Sequence, residues 1–423
     1  MITAIKADRV LDGSGNDPLE PGCVVVDGGR IKSVHAGPVP EGLAADATID
    51  LPGCTLMPGL IDTHVHLNLP GTGVGFEESV EEGAGVLLAS SVSAAGKALA
   101  AGITTVRDVG AYRRTSFDVR RAIELGYVVG SRVLACGQPI TITGGHTWPF
   151  GGEADGVENL RRKVRQLIKD GAEFIKVMGS GGGTIGTAAW RPAFTPDELN
   201  AIADEAHRNE RKITVHCLCA ASIDDAVNAK VDQIEHAGFL INQDGDQVYD
   251  PAVGDRLAAS GIPVTGTLAV GATVLNALRA KNERTPAEDL LLSRWERMVQ
   301  DNLNNYARLR DAGVAFVAGT DAGWRYTTFD SLVLEMEMMV CGGSTTMETI
   351  VAATGFAADV IGLSDEAGRL REGLDADIIA VRGNPLERLD ALRDVEMIMH
   401  RGVERQPAGR SAITPQAAEC PAL

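Results

Sequence analysis

The stretch LMPGLIDTHVHLN, residues 56–68, decides how the chain is read. An apolar run from Leu56 to Ile61, broken by Pro58 and Gly59, leads into Asp62-Thr63-His64-Val65-His66. On a β-strand alternate side chains share a face, so His64 and His66 point together and Val65 points away. Two imidazoles on one face at a strand end make a candidate metal clip, because neutral imidazole suits zinc and its neighbours. The competing reading is a pair of ordinary loop histidines. The rest of the chain has to separate the two.

From Leu60 onward, β-branched apolar runs alternate with helix-favouring segments. Strands are expected to begin near residues 60, 103, 132, 173, 213, 232, 262 and 314. Helices are expected over 80–101, 115–125, 156–170, 196–208, 222–230, 287–312 and 328–341, with two more pieces within 344–361. Thr195-Pro196-Asp197-Glu198 carries a helix start: a capping hydroxyl, proline at the first position, acids in the first turn. The segment 241–261 fits a loop plus a helix. Eight strand–helix units over about 300 residues predict an α/β fold, a (β/α)8 TIM barrel, in preference to an open sheet. The open-sheet alternative also lacks a Gly-rich dinucleotide turn after its first strand.

The chain ends read differently. Residues 1–57 are short strands joined by Gly, Asp and Pro turns, with Asp27-Gly28-Gly29 as a strong hairpin signal. ADIIAVRG (376–383) and VEMIMHRG (395–402) repeat that style. Residues 1–57 and 362–408 are therefore expected to build one small β-sandwich beside a barrel of residues 58–361. The tail, 409–423, shows no pattern.

Composition limits the function classes. With 423 residues and 44% hydrophobic content, the chain can bury a large core and a smaller one. The net charge of −18 and pI near 4.9 should repel nucleic acid and anionic membranes. Seven scattered cysteines without a CxxC pair read as reduced intracellular thiols. No signal peptide is evident, and no run approaches the roughly 18 apolar residues of a membrane helix. A soluble, cytoplasmic protein is expected.

The chemistry-bearing residues fall in register with the strands. His64 and His66 end the first, His216 the fifth, His236 the sixth and Asp321 the eighth. In such a barrel these ends converge on one mouth. Lys176 lies inside the fourth strand between Ile175 and Val177, where a charged amine is costly. A snorkelling lysine is the competing reading, for which the apolar setting leaves little room. A desolvated amine can instead lose its proton and react with CO2 to give an anionic, bidentate carbamate.

At these residues the chain resembles the amidohydrolase superfamily. The resemblance runs through PGLIDTHVHL (58–67), FIKVMGSGG (174–182), TVHC (214–217), IEHAG (234–238), GTDAG (319–323) and GRLREGLDADIIAV (368–381). It implies two divalent metal ions, zinc foremost, with manganese, cobalt or iron also compatible. His64 and His66 would bind one and His216 and His236 the other, with N-carboxylated Lys176 bridging. Asp321 would bind the first metal and accept the proton of a metal-bridging hydroxide that attacks the carbonyl.

His146, in Thr143-Gly144-Gly145-His146, resembles the Gly-Gly-His loop of the prolidase-like dipeptidase and carboxypeptidase branch, where the histidine contacts substrate. That loop commonly continues with another glycine; here Thr147 follows. A plain loop histidine is the alternative. Arg325 could meet a substrate carboxylate bidentately or be a solvated surface arginine. Arg107 and Asp108 are expected to pair with each other, and Glu335-Met336-Glu337-Met338-Met339 to be helix core. His35, His207 and His400 are expected to be structural.

The resemblance implies hydrolysis of the amide bond of small N-acyl amino acids or dipeptides. Similar enzymes also cleave amide-linked xenobiotics, including mycotoxins with an acylated aromatic amino acid, and carbamate or urea herbicides. A deaminase, a lactonase, an imidazolone-ring hydrolase and a carbamate or urea hydrolase remain alternatives within the superfamily. The helper glutamate of a deaminase would fall at Cys219 or Ala220, where it is missing. A non-catalytic scaffold would have lost metal ligands, and all six positions are filled. The expected partner is a small amide or dipeptide, with no nucleic acid or membrane, and a homo-oligomer is expected from such relatives.

Overall fold

The computed structural model describes residues 1–39, 42 and 44–408, so the tail 409–423 lies outside the described residues. The chain opens with β1 (Ile2–Val10), β2 (Gly22–Asp27), β3 (Arg30–Ala36) and the long β4 (Ala47–Pro58). The β2–β3 hairpin turns on Gly28-Gly29, with Asp27 paired to Arg30 and Gly28 at φ +62°, the left-handed backbone that glycine tolerates. Next come β5 (Leu60–Val65), β6 (Ile103–Asp108), β7 (Arg132–Ala135), β8 (Phe174–Met178) and β9 (Lys212–His216). Then come β10 (Gln233–Glu235), β11 (Val264–Thr265) and β12 (Phe316–Val317). The chain closes with β13 (Ile378–Arg382), β14 (Val395–His400) and β15 (Val403–Arg405).

The two chain ends do share structure, but not as a two-sheet sandwich. They form one seven-stranded sheet, ordered β15-β14-β13-β4-β1-β2-β3. The reason is β4, twelve residues long, which pairs parallel with β1 and antiparallel with β13. The terminal segments therefore share one ladder instead of packing as separate sheets. Ile5, Val24, Leu56, Ile378 and Met397 cluster as one buried core of this sheet. Its β3 margin is tied to the β13 approach: Ile31 N–H donates to the Leu374 carbonyl at 2.9 Å, and Ala376 N–H to the Gly29 carbonyl at 2.8 Å.

The middle of the chain is α/β. All its strands run parallel, in a three-stranded sheet β5-β6-β7 and a five-stranded sheet β8 to β12 in chain order. Strands β5, β6 and β8 are buried at every residue, as expected of parallel strands covered on both faces. Each begins within two residues of its expected position. The two sheets meet through isolated bridges, Ile140 to Val177 and Val65 to Ala322, rather than through one continuous ladder. The ladder breaks where the backbone turns left-handed, at Gly137 (φ +74°) and at Asp321 (φ +60°). At the second seam Asp321 N–H still donates to the His64 carbonyl (2.8 Å) and His66 N–H to the Ala322 carbonyl (2.8 Å).

Helices alternate with these strands. The start at Thr195 is a capping box: Thr195 Oγ1 accepts from Glu198 N–H at 3.4 Å, and Glu198 Oε2 accepts from Thr195 N–H at 3.0 Å. The helix Ala269–Arg279, between β11 and the long helix Pro286–Asp311, is not legible in the sequence: Leu268 precedes it and has no side chain that could cap it. The methionine run lies in the helix Leu332–Cys341, with Met336, Met338 and Met339 buried. Cys23, Cys54, Cys136, Cys217 and Cys219 are buried free thiols. Among the described residues no helix is long and apolar enough to cross a membrane.

Candidate active site

The strand ends converge as the sequence suggested. The His64 and His66 ring centroids are 5.5 Å apart, His64 and His236 5.1 Å, and His216 and His236 4.5 Å. Nε2 of His64 lies 3.5 Å, and Nε2 of His66 3.3 Å, from Asp321 Oδ1. Ligand atoms of His64, His236 and Asp321 all fall within 4.8 Å of one another. This group takes one histidine from each of the two pairs expected from sequence, while the expected pair His216 and His236 has the shortest of these ring separations.

Outer partners set the imidazoles. His66 Nδ1 donates to the Gly110 carbonyl at 2.9 Å, because a carbonyl can only accept; this turns Nε2 towards Asp321. His64 Nδ1 is 2.9 Å from Glu235 Oε2, His236 Nδ1 is 2.7 Å from Thr267 Oγ1, and His216 Nε2 donates to the Gly181 carbonyl at 3.1 Å. Burial holds His216 and His236 well below the usual histidine range, so both are neutral, the form that binds metals. Burial also opposes charge on His64, but Glu235, with Asp321 behind it, outweighs that and raises it.

Two buried atoms lack a hydrogen-bond partner in this cluster: Lys176 Nζ and Asp321 Oδ1. Lys176 is 1% exposed, and burial lowers its amine from the ordinary value despite the nearby Glu235 and Asp321 carboxylates. Burial would raise the Asp321 carboxyl, yet His64 and His66 hold it well below the usual range. A buried carboxylate oxygen with two imidazole nitrogens within 3.5 Å of it is a donor set that a cation can occupy. The donor set thus fits metal ions, and the orphaned Lys176 amine fits a further group added at Nζ.

Glu235 is the residue the sequence reading missed. It is fully buried on β10 and accepts from His64 Nδ1, Thr214 Oγ1 (2.5 Å) and Arg107 Nη2 (2.7 Å). Arg107 also donates to the Thr63 carbonyl (2.6 Å) and Gln233 Oε1 (2.7 Å). Arg107 and Asp108 therefore do not pair with each other, since successive strand residues face opposite ways. Asp108 instead accepts from Leu67 N–H (3.0 Å) and Gly110 N–H (3.1 Å), shaping the turn that presents the Gly110 carbonyl to His66. The signal for Glu235 was the one applied to Lys176, an ionisable residue inside a buried strand.

His146 joins the same wall. Its ring lies 4.8 Å from His216 and 5.6 Å from Trp324, and its Nδ1 is 2.8 Å from Thr184 Oγ1. Burial lowers it to about 3, so it is neutral. Thr147 adopts φ +60°, which explains why glycine suits this position; its N–H donates to Thr184 Oγ1 at 2.9 Å. Arg325 is exposed at φ +55°, and its guanidinium has no hydrogen bond or ion pair among the described residues. His35, His207 and His400 lie elsewhere, against Ser33, Asp232 and Asp377. A cavity of about 740 Å³ opens over the cluster, with His146, Trp324 and Arg325 in its walls, a size that suits a small organic substrate.

Comparison with known proteins agrees with this geometry. The family model described as "Amidohydrolase family" matches residues 55–405. Ochratoxinase from Aspergillus niger is 30% identical over 438 residues, covering 94% of this chain and 85% of that protein. Its crystal structure superposes with a TM-score of 0.80 at 27% identity, covering 99% of this chain and 98% of that one. A Xaa-Pro dipeptidase with methionine bound in its active site superposes at 0.81 with 26% identity, covering 96% and 100%. A prolidase in complex with N-methylphosphonate-L-proline superposes at 0.82, also with 26% identity and 96% and 100% coverage. By this match, and by a cluster built from strand-end histidines and an aspartate, the chain belongs to the amidohydrolase family and is a hydrolase acting on amide bonds.

Proposed function

We propose that the protein hydrolyses the amide bond of small N-acyl amino acids or dipeptides, with two divalent metal ions held by His64, His66, His216, His236, Asp321 and N-carboxylated Lys176. The observation that carries this is the pair of buried, unpartnered atoms, Lys176 Nζ and Asp321 Oδ1, among histidines oriented by Glu235 and Gly110. Zinc suits this mixture of imidazole and oxygen donors, and such ions activate water and polarise the scissile carbonyl. On this reading the two parallel sheets make up one (β/α)8 barrel interrupted at its two seams, residues 58–361, with residues 1–57 and 362–408 as the accompanying β unit.

The side chains divide the work. Asp321, held ionised, takes the proton of the attacking water and returns it to the leaving amine. Neutral His146 donates to the substrate carbonyl oxygen while Thr184 fixes its ring. Arg325, without a partner of its own, meets the substrate carboxylate. A deaminase gains no support here, since Cys219 Sγ turns to Ser222 Oγ at 3.4 Å.

The test is amine release from a panel of dipeptides and N-acyl amino acids, with elemental analysis of bound metal. Lys176→Ala should lose metal and activity together. Asp321→Asn should lose rate by about 100-fold or more while keeping more of its metal, in line with the cost of removing a proton-transfer group. Full turnover retained by either variant would overturn the mechanism.

A further inference from the structure

The charges around the cavity separate N-acyl amino acids from dipeptides, an inference that rests on the proposed amide hydrolysis. The chain holds 57 acidic residues against 39 lysines and arginines. The cavity lining inverts this balance: among the described residues its aspartate is Asp321, which the proposed site uses, while Arg294 and Arg325 supply cations. Asp321 is already committed to the imidazole cluster, with its Oδ1 between His64 and His66.

The cavity has two flanks. On one stand His146, Trp324 and Arg325. The other is formed by the segment after β10 and by the helix Pro286–Asp311, where Leu240, Trp295 and Met298 give an apolar wall and Arg294 a cation. Arg294 donates to the Gln243 carbonyl and has no carboxylate partner among the described residues. The amides of this flank are occupied with each other: Asn305 Nδ2 donates to Gln247 Oε1 (2.9 Å), and Gln247 Nε2 to Asn302 Oδ1 (2.6 Å). Asp246 is exposed, accepts from Asn242 Nδ2 at 2.9 Å and lies outside the lining. Among the described residues neither flank of the lining offers a free carboxylate to receive an ammonium group.

We infer that the site takes N-acyl amino acids whose acyl group is neutral or anionic and apolar in bulk, and discriminates against dipeptides with a free amino terminus. A dipeptide would bring its α-ammonium against Leu240, Trp295 and Arg294, desolvating a charge beside a like charge. The same skeleton without the ammonium buries apolar surface against Trp295 and Met298 at no such cost. Whichever arginine meets the substrate carboxylate, the discrimination is the same, because neither flank offers a free acid.

The test compares 3-phenylpropanoyl-L-leucine with L-phenylalanyl-L-leucine, which differ by the α-ammonium alone. Leucine release by the metal-loaded enzyme gives kcat/KM, and calorimetry on the Asp321→Asn protein gives binding with turnover suppressed. We expect at least a tenfold preference for the acyl compound in both at pH 7. The preference should narrow in Arg294→Glu, which supplies the missing acid, and as pH rises past the dipeptide amine's pKa of about 8. Equal or reversed preference in turnover or in binding overturns the inference and leaves amide hydrolysis standing. A tenfold binding preference with no leucine released from either compound supports the inference about the pocket and counts against the proposed hydrolysis.

Discussion

Glu335 lies in the run expected to be helix core, and like Met336, Met338 and Met339 it is buried, although it is a carboxylic acid. One oxygen accepts from Ala269 N–H at 2.7 Å, at the start of the helix Ala269–Arg279, where Leu268 offers no cap; the other has no partner. Burial pushes its carboxyl up to about 8. The folded protein thus keeps a proton that the unfolded chain releases near 4.5, so this group's contribution to stability falls as pH rises between those values. The slope is at most about 1.4 kcal/mol per pH unit. Glu335→Gln keeps an acceptor for Ala269 and removes the titration, so it should lose less stability than the parent between pH 5 and pH 8. Denaturant titrations at several pH values would show this, and equal slopes would overturn it. Lys176 and the burial of Glu335 were legible from their apolar neighbours; the helix start at Ala269 that Glu335 accepts from was not, because sequence neighbours do not mark which element a helix face meets.

At the scale of elements, strand positions were readable because buried parallel strands leave continuous apolar runs. The seams were not. Val65 meets Ala322 across hundreds of residues, and what lets them meet is Gly323 at φ +96°. A Cβ there would stand 2.3 Å from the His66 carbonyl oxygen. Gly323→Ala should cost about 1–3 kcal/mol in backbone strain alone and move His66 away from Asp321. Its melting temperature should fall, and the gain in stability on adding zinc should shrink. Gly28→Ala is the control: its turn also has positive φ, but no atom lies within 4 Å of the added Cβ, so the zinc response should be kept.

At the scale of the molecule, the seven-stranded sheet and the parallel strands are joined by a buried ionic cluster. Arg132 at the start of β7 pairs with Asp375 (2.6 Å), Asp377 (3.2 Å) and Glu366, while His400 Nδ1 contacts Asp377 at 2.8 Å. Removing one member strands the others without compensation. Arg132→Leu should destabilise the protein by about 3–5 kcal/mol in a denaturant titration, the usual cost of breaking a buried pair. A loss below about 1 kcal/mol, the range of an exposed pair, would show that the cluster contributes little. The β unit itself differed from expectation because a single long strand, β4, serves both chain ends.

The sequence by itself determined the order and positions of the parallel strands, the histidines and aspartate at their ends, and the buried lysine. Each of these is written in local periodicity: apolar runs, alternation on a strand, an ionisable residue between aliphatic ones. Only the tertiary structure decided that Arg107 serves Glu235 and not its neighbour Asp108, that His236 groups with His64 and Asp321, and that the chain ends share one sheet. The physical reason is distance along the chain. Arg107 and Glu235 are 128 residues apart, and a buried charge takes whichever partner packing brings to it, which no local pattern encodes.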